Sequence, residues 1–223
     1  MNSYVITALE SARPKGWFEL FHRPVSSVDG KPPILIDAET IFRHSLKVGD
    51  ELSEQLLRRI KTEADIAWLK AKGMAILSRR MISERDLRRK LTEEKRPKDA
   101  REDVIFTLKR LGLVDDAKYA ANFVRTQLAR GPKSKLYLKS KLREKGVNEE
   151  CSNQAIEAEF AGVDEVSAVR TIAEKKYKTV KYLPTQKARI RVINFLRSRG
   201  FNWETIRKAT ADLFPNQSDI SSE

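Results

Sequence analysis

The sequence predicts a mostly helical protein, an elongated array of three three-helix repeats behind a small β-containing N-terminal module. Three observations carry that prediction. From Ser53 onward apolar residues recur at spacings of three and four, the period of a helix with one buried face. Ser83-x-x-x-Leu87-x-x-Lys90-Leu91 returns 51 positions later as Ser134-x-x-x-Leu138-x-x-Lys141-Leu142, and more loosely 54 further on as Ala188-x-x-x-Val192-x-x-Phe195-Leu196. Units of this kind stack on their neighbours into extended arrays. Before Ser53, in contrast, short β-branched and aromatic runs alternate with turn residues.

In chain order, Tyr4–Thr7, Trp17–Phe21 and Pro33–Ile36 read as strands, with Val28-Asp29-Gly30-Lys31 as a turn. Asp37 is placed to cap a helix from Ala38 to Leu46 that ends at Lys47-Val48-Gly49. This first module is expected over residues 1–62, as a structural or docking appendage. Leu56, Leu57 and Ile60 open a helical pattern that Thr62 is placed to interrupt, and Ile66, Leu69, Gly73, Ile76 and Leu77 carry it on toward Arg80. Repeat 1 is expected over 63–114, repeat 2 over 115–163, repeat 3 over 164–214, and a disordered tail over 215–223.

Within these repeats the punctuation is explicit. Ser83, with Asp86 three residues on, forms a near capping box, and Arg96-Pro97 breaks the helix that follows. Val104, Ile105, Leu108 and Leu111 share one helical face that ends at Gly112, a natural left-handed cap. Asp115 then caps a helix whose apolar stripe is Tyr119, Ala120, Phe123, Val124 and Leu128. Gly146 and Gly200 stand four residues past the last leucine of the second and third copies, where the first copy has Lys95. Trp68, Phe106, Tyr119, Phe123, Phe160, Phe195 and Phe214 fall at apolar positions and are expected in the core. Tyr137, Tyr177 and Tyr182 lie among lysines and are the candidates for stacking on unpaired bases.

Charge is the informative total. Lys and Arg exceed Asp and Glu by 44 to 31, a formal +13 with pI near 9.8, and such an excess attracts polyanions, nucleic acid first among them. The excess is uneven: residues 1–62 hold nine basic and eight acidic residues, and residues 63–223 hold 35 and 23. No apolar run is long enough to span a bilayer and no signal-peptide pattern opens the chain. The single Cys151 offers no internal disulfide, so a reducing cytoplasm is the expected compartment.

No catalytic constellation can be assembled, and neither cofactor nor metal is expected. His22 and His44 have no ligand at metal spacing and read as surface or turn residues. Phosphate loops and nucleophile elbows are absent. Acidic neighbours Glu149 and Glu150 leave Cys151 inert. Asp115-Asp116 is the one pair that would suit a metal nuclease, but capping explains it with fewer parts.

The basic residues are the candidates for binding. Arg85, Arg88 and Arg89 crowd the first repeat, Arg125, Arg130, Lys133, Lys135, Lys139, Lys141 and Arg143 the second, and Arg189, Arg197 and Arg199 the third. Arg85, Arg88 and Arg89 share a face, as do Lys135, Lys139 and Arg143 at four-residue spacing. Like charges so arranged weaken an isolated helix by a few tenths of a kcal/mol per pair, so an external anion is a reason to keep them. Phosphates and an acidic protein surface are anions of that kind.

Leu113-Val114-Asp115-Asp116 followed by Tyr119-Ala120-x-x-Phe123-Val124 resembles the central motif of the RecX regulatory proteins. Gly131 and Lys141-Leu142-x-x-Lys145-Gly146-Val147 follow it as in that family, and Ser83 to Leu91 resembles the first repeat. Arg189 to Phe201, with Asn194-Phe195-Leu196-Arg197-Ser198-Arg199-Gly200-Phe201, resembles the end of the third. The likeness covers roughly residues 65–214; Lys95 in place of the usual glycine and Cys151-Ser152-Asn153 depart from it. The resemblance implies a non-enzymatic negative modulator of the RecA recombinase that binds the RecA–DNA filament and suppresses its ATPase, strand-exchange and co-protease activities; the repeats can bury their apolar faces against each other, so a monomer is expected. It implies contact with single- and double-stranded DNA, and a place in homologous recombination, DNA repair and the SOS response. The alternative is a helical-repeat protein that binds bare DNA without recombinase.

Overall fold

The computed structural model describes residues 3–162 and 164–215. The chain runs β1 (Ser3–Ala12), β2 (Trp17–Pro24), β3 (Lys31–Asp37), α1 (Ala38–Arg43), β4 (Glu51–Ser53), α2 (Glu54–Leu77), α3 (Glu84–Thr92) and α4 (Lys98–Arg110). It continues through α5 (Asp116–Ala129), α6 (Lys135–Glu144), α7 (Glu149–Phe160), α8 (Glu165–Val180), α9 (Thr185–Arg197) and α10 (Trp203–Thr210). Two compact units result, residues 1–115 and 116–223. The expected disordered tail lies, beyond Pro215, outside the described residues.

In the first unit β1–β4 form an antiparallel sheet in the order β3-β2-β1-β4. The three-residue β4 was not legible in the sequence, because Glu51-Leu52-Ser53 is too short to show an alternation. Asp37 caps α1, accepting from the Thr40 amide at 3.1 Å. Ile6, Leu20, Ile34, Ile36 and Leu52 turn one face of the sheet onto α2, where Leu57, Ile60 and Ala64 complete the core.

Helix α2 does not break at Thr62. The Thr62 hydroxyl donates back to the Arg58 carbonyl at 3.1 Å, a bond made inside the helix. The boundary expected after residue 62 therefore falls within a continuous helix, which further along packs Leu69 against Leu87, Leu91, Val104 and Leu108 of α3 and α4. Gly73 allows this approach, since a Cβ there would stand 2.8 Å from Leu108 Cδ1. Where the two cores adjoin, Trp17 of β2 meets Trp68 of α2 edge-on at 4.9 Å between ring centroids. Trp68 Nε1 donates to Glu94 at 2.8 Å, and Arg96 closes on the buried Asp65 at 2.7 Å.

The caps follow the sequence closely. Ser83 and Ser134 accept from the Asp86 and Tyr137 amides at 3.2 and 3.0 Å. Gly112 ends α4 at φ +68° with Leu113 N donating to Leu108 O at 3.0 Å, and α5 begins immediately after Asp115. In the third copy the match is offset: α9 starts at Thr185, so Ala188 is a buried residue inside the helix and not its cap. Phe106, expected in the core, is 66% exposed, because α4 turns Val104, Ile105 and Leu108 inward instead. Within the second unit, α5–α7 enclose one core around Val124, Leu138 and Leu142. Helices α8–α10 enclose another around Val169, Val192, Leu196 and Ile206.

Lys95 adopts the left-handed conformation, φ +53°, that Gly146 and Gly200 adopt at +78° and +82°. A side chain there costs about 1 kcal/mol relative to glycine. Lys95→Gly should therefore stabilise the protein by about 1 kcal/mol, read as a higher urea midpoint at unchanged slope. Arg96→Met should do the reverse, by about 3 kcal/mol or more, because it strands the Asp65 carboxylate in the interior. Adding Asp65→Asn to that variant should recover part of the loss in the same measurement.

Candidate polyanion interface

The three basic stretches meet different fates once folded. In the first repeat Arg88 bridges α3 and α4: its guanidinium donates to Glu102 at 2.9 and 3.2 Å and to Glu84 at 2.8 Å. These two carboxylates, Glu102 first, raise the Arg88 pKa, and the Glu102 carboxyl is in turn held below its ordinary range. Arg89 pairs with Asp86 at 3.2 Å, and Arg85 lies exposed on the same helix.

In the second repeat the expected ladder on α6 is answered by the next helix. Lys135 reaches Glu157 and Lys139 reaches Glu149 of α7, each at 2.7 Å, and Arg125 of α5 reaches Glu159 at 2.6 Å. Lys141 pairs with Glu144 at 2.8 Å on its own helix, and Arg143 is exposed. The like-charge argument from spacing thus weakens, since most of these cations have partners inside the fold. Such exposed pairs contribute between 0 and about 1 kcal/mol each, so a phosphate can displace them at little cost.

The α5–α6 turn and the end of α9 come together. Arg199 donates through Nη1 to the Pro132 carbonyl at 3.3 Å, and the Ser134 amide donates to the Arg199 carbonyl at 3.1 Å. The backbone is so close here that a Cβ on Gly200 would stand 2.7 Å from both Ser134 Oγ and Tyr137 Cβ. Cations and rings interleave at this junction: Lys133 lies 4.7 Å from the Tyr137 ring centre and the Arg199 guanidinium 4.4 Å from that of Phe195. Neither has an ion pair among the described residues. Burial, and then the charge of Arg199, push the Lys133 pKa below its ordinary value. Arg130 and Arg197, also without an ion pair among the described residues, stand exposed on the same two segments.

The structure thus joins Arg130 and Lys133 of the second copy to Arg197 and Arg199 of the third. Arg189 is not part of this group; it is buried within the third core at 9% exposure. The aromatic contribution was visible in the sequence as Tyr137 among lysines, but not the pairing of Phe195 with Arg199. His22 is corrected as well: it is a buried residue of β2, 6% exposed, and not a surface histidine. His44 bonds Glu63 at 2.8 Å. Among the described residues no group of three or more His, Cys, Asp or Glu could hold a metal ion, and no helix is long and apolar enough to cross a membrane.

Comparison with known proteins places these helices. Residues 115–156 match the family model of the RecX second three-helix domain, and residues 164–210 that of the RecX third three-helix domain. The regulatory protein RecX of Clostridioides difficile (strain 630) is 30% identical over 186 residues, spanning 83% of this chain and 87% of that protein. The chain belongs to the RecX family. The RecX regulatory protein of Limosilactobacillus reuteri (strain DSM 20016) is 25% identical over 218 residues, 98% of this chain and 80% of its own length. A crystal structure of a RecX regulatory protein shares the fold at TM-score 0.66 and 23% identity, covering 96% of this chain and all of that one. The sheet module is included in these long alignments, so RecX proteins with such a front module are among the relatives.

The close approach at the junction has a direct consequence. Gly200→Ala adds a Cβ at positive φ against two atoms that cannot easily move, and should cost about 2–4 kcal/mol of stability. Gly112→Ala, at φ +68° with open space around it, should cost only about 1 kcal/mol. Chemical denaturation of both variants checks the contrast.

Proposed function

We propose that this RecX-family chain is a negative regulator of the RecA recombinase, acting in the cytoplasm as a monomer. It binds the RecA–DNA filament non-covalently and inhibits its ATPase, strand-exchange and co-protease activities. The observation that carries the reading is family membership, since the relatives are named as regulatory proteins. The cations at the α5–α6 turn and the end of α9 support it with a surface suited to phosphate or to the acidic face of a filament. Nothing in this role requires turnover, and single- and double-stranded DNA are the accompanying ligands.

The test is DNA-dependent ATP hydrolysis by the cognate recombinase on single-stranded DNA as this protein is titrated in. Filaments are assembled beforehand in one series and mixed with the protein at the start in the other. Inhibition well below the amount needed to cover the DNA supports action on the filament. Inhibition only at DNA saturation transfers the reading to a helical-repeat protein that competes for bare DNA, with a steep salt dependence. The triple variant Arg130→Glu, Lys133→Glu, Arg197→Glu should raise the half-inhibiting concentration by about tenfold or more. Reversal at Lys135, Lys139 and Arg143 should have a smaller effect, as Lys135 and Lys139 already neutralise glutamates of α7.

A further inference from the structure

A cavity of about 390 Å³ opens in the sheet module between the start of β3 and the first half of α2. His22 lines it from β2, with its Nδ1 buried and without a hydrogen-bond partner. Lys31 stands opposite His22 in the β2–β3 register, and Lys61 enters from α2. At the rim, Arg58 is held by Glu54 and Arg96 by Asp65. Lys31 and Lys61 therefore remain as the two cations of the cavity with no ion pair among the described residues. Both act electrostatically on His22, whose pKa is lowered by burial first, against an opposing pull from the Leu20 backbone, and then by Lys61 and Lys31.

The cavity thus presents two ammonium groups with no ion pair among the described residues beside a buried imidazole. Both lysines are exposed and able to close on an anion, and the unpartnered His22 Nδ1 is of a kind that is normally satisfied. A bound dianion answers both ammonium groups. Tyr4, Pro33 and Leu57 add apolar surface to the lining, and the volume exceeds that of a bare oxyanion. It therefore accommodates an attached organic group. We propose that this cavity binds a phosphate monoester, with Lys31 and Lys61 neutralising the dianion beside the His22 ring, which senses its charge, and the esterified group against Tyr4. The site lies within the sheet module and stands independently of the recombinase reading.

The chain has two histidines, so proton NMR resolves the ring signals of His22 and His44 in the full-length protein. Inorganic phosphate and adenosine 5′-monophosphate should shift the His22 signal saturably and raise its apparent pKa, because a nearby anion favours the imidazolium. The His44 signal should stay in place. Adenosine without phosphate, and chloride at matched ionic strength, should do neither. Lys31→Ala with Lys61→Ala should weaken binding about tenfold or more, with unchanged thermal unfolding, since both side chains are exposed. Stronger binding of a 5′-phosphorylated oligonucleotide than of its 5′-hydroxyl counterpart would assign the site to a DNA end; binding of the mononucleotide alone would assign it to a free nucleotide. No saturable His22 shift with any phosphate, or the same shift in the double variant, overturns the proposal.

Discussion

Helix α2 is the constraint on which the first unit depends. A four-stranded sheet of this size needs a helix to bury its apolar face, and a bundle of three short helices encloses little surface by itself. One helix of 24 residues serves both, with Leu57, Ile60 and Ala64 in the sheet core and Leu69 in the helical core. The buried Asp65 lies between these two sets, and its partner Arg96 comes from the turn before α4. An ion pair in such a position adds little to net stability against an apolar replacement, yet it is costly to break on one side. Arg96 and Glu94 on one turn, and Trp17 on the sheet, all converge on one short stretch of α2 around Trp68. The register of the sheet against the bundle is set there.

The second unit solves a different problem, how to carry many like charges on short helices. Lysines of α6 face glutamates of α7 across the turn, so the charge of one helix is balanced by the next. These are exposed pairs of small energy, and a stronger anion can compete for them. Arg88 is of another kind. Two carboxylates, one from each of α3 and α4, hold it, so removing it would loosen one tie between those helices. A count of cations treats these alike, whereas geometry separates a fixed strut from an exchangeable charge.

What could be seen in the sequence was whatever is decided locally. Asp37, Ser83 and Ser134 cap because a side-chain oxygen three residues before a free amide reaches it in any context. Gly112 was legible for the same reason. Thr62 misled because its hydroxyl can either interrupt a helix or bond back within it, and only the packing of its neighbours Ile60 and Ala64 decides. Phe106 misled because four consecutive positions on α4 are apolar or small enough to be buried, and the phase was set by α2. The charge partners lay beyond reach for a simpler reason: Glu149, Glu157 and Glu159 are 10, 22 and 34 residues from the cations they meet. Helical spacing examines one helix at a time.

The same limit explains why the junction in the second unit went unseen, although each of its residues had been singled out. Lys133 and Arg199 are 66 positions apart and become neighbours because Gly200 has no side chain to separate the α9 end from α6. Two cations at such proximity, one of them partly desolvated, repel each other without a carboxylate to moderate the repulsion. The rings of Tyr137 and Phe195 offset part of that cost through their negative faces. They do so without consuming the charge, as a glutamate would. An aromatic partner thus keeps the cation in place and available, whereas an acidic partner must first be displaced. By that argument the strongest pull on a polyanion comes from the stretch with rings and no acids, even though the cations are denser along α6.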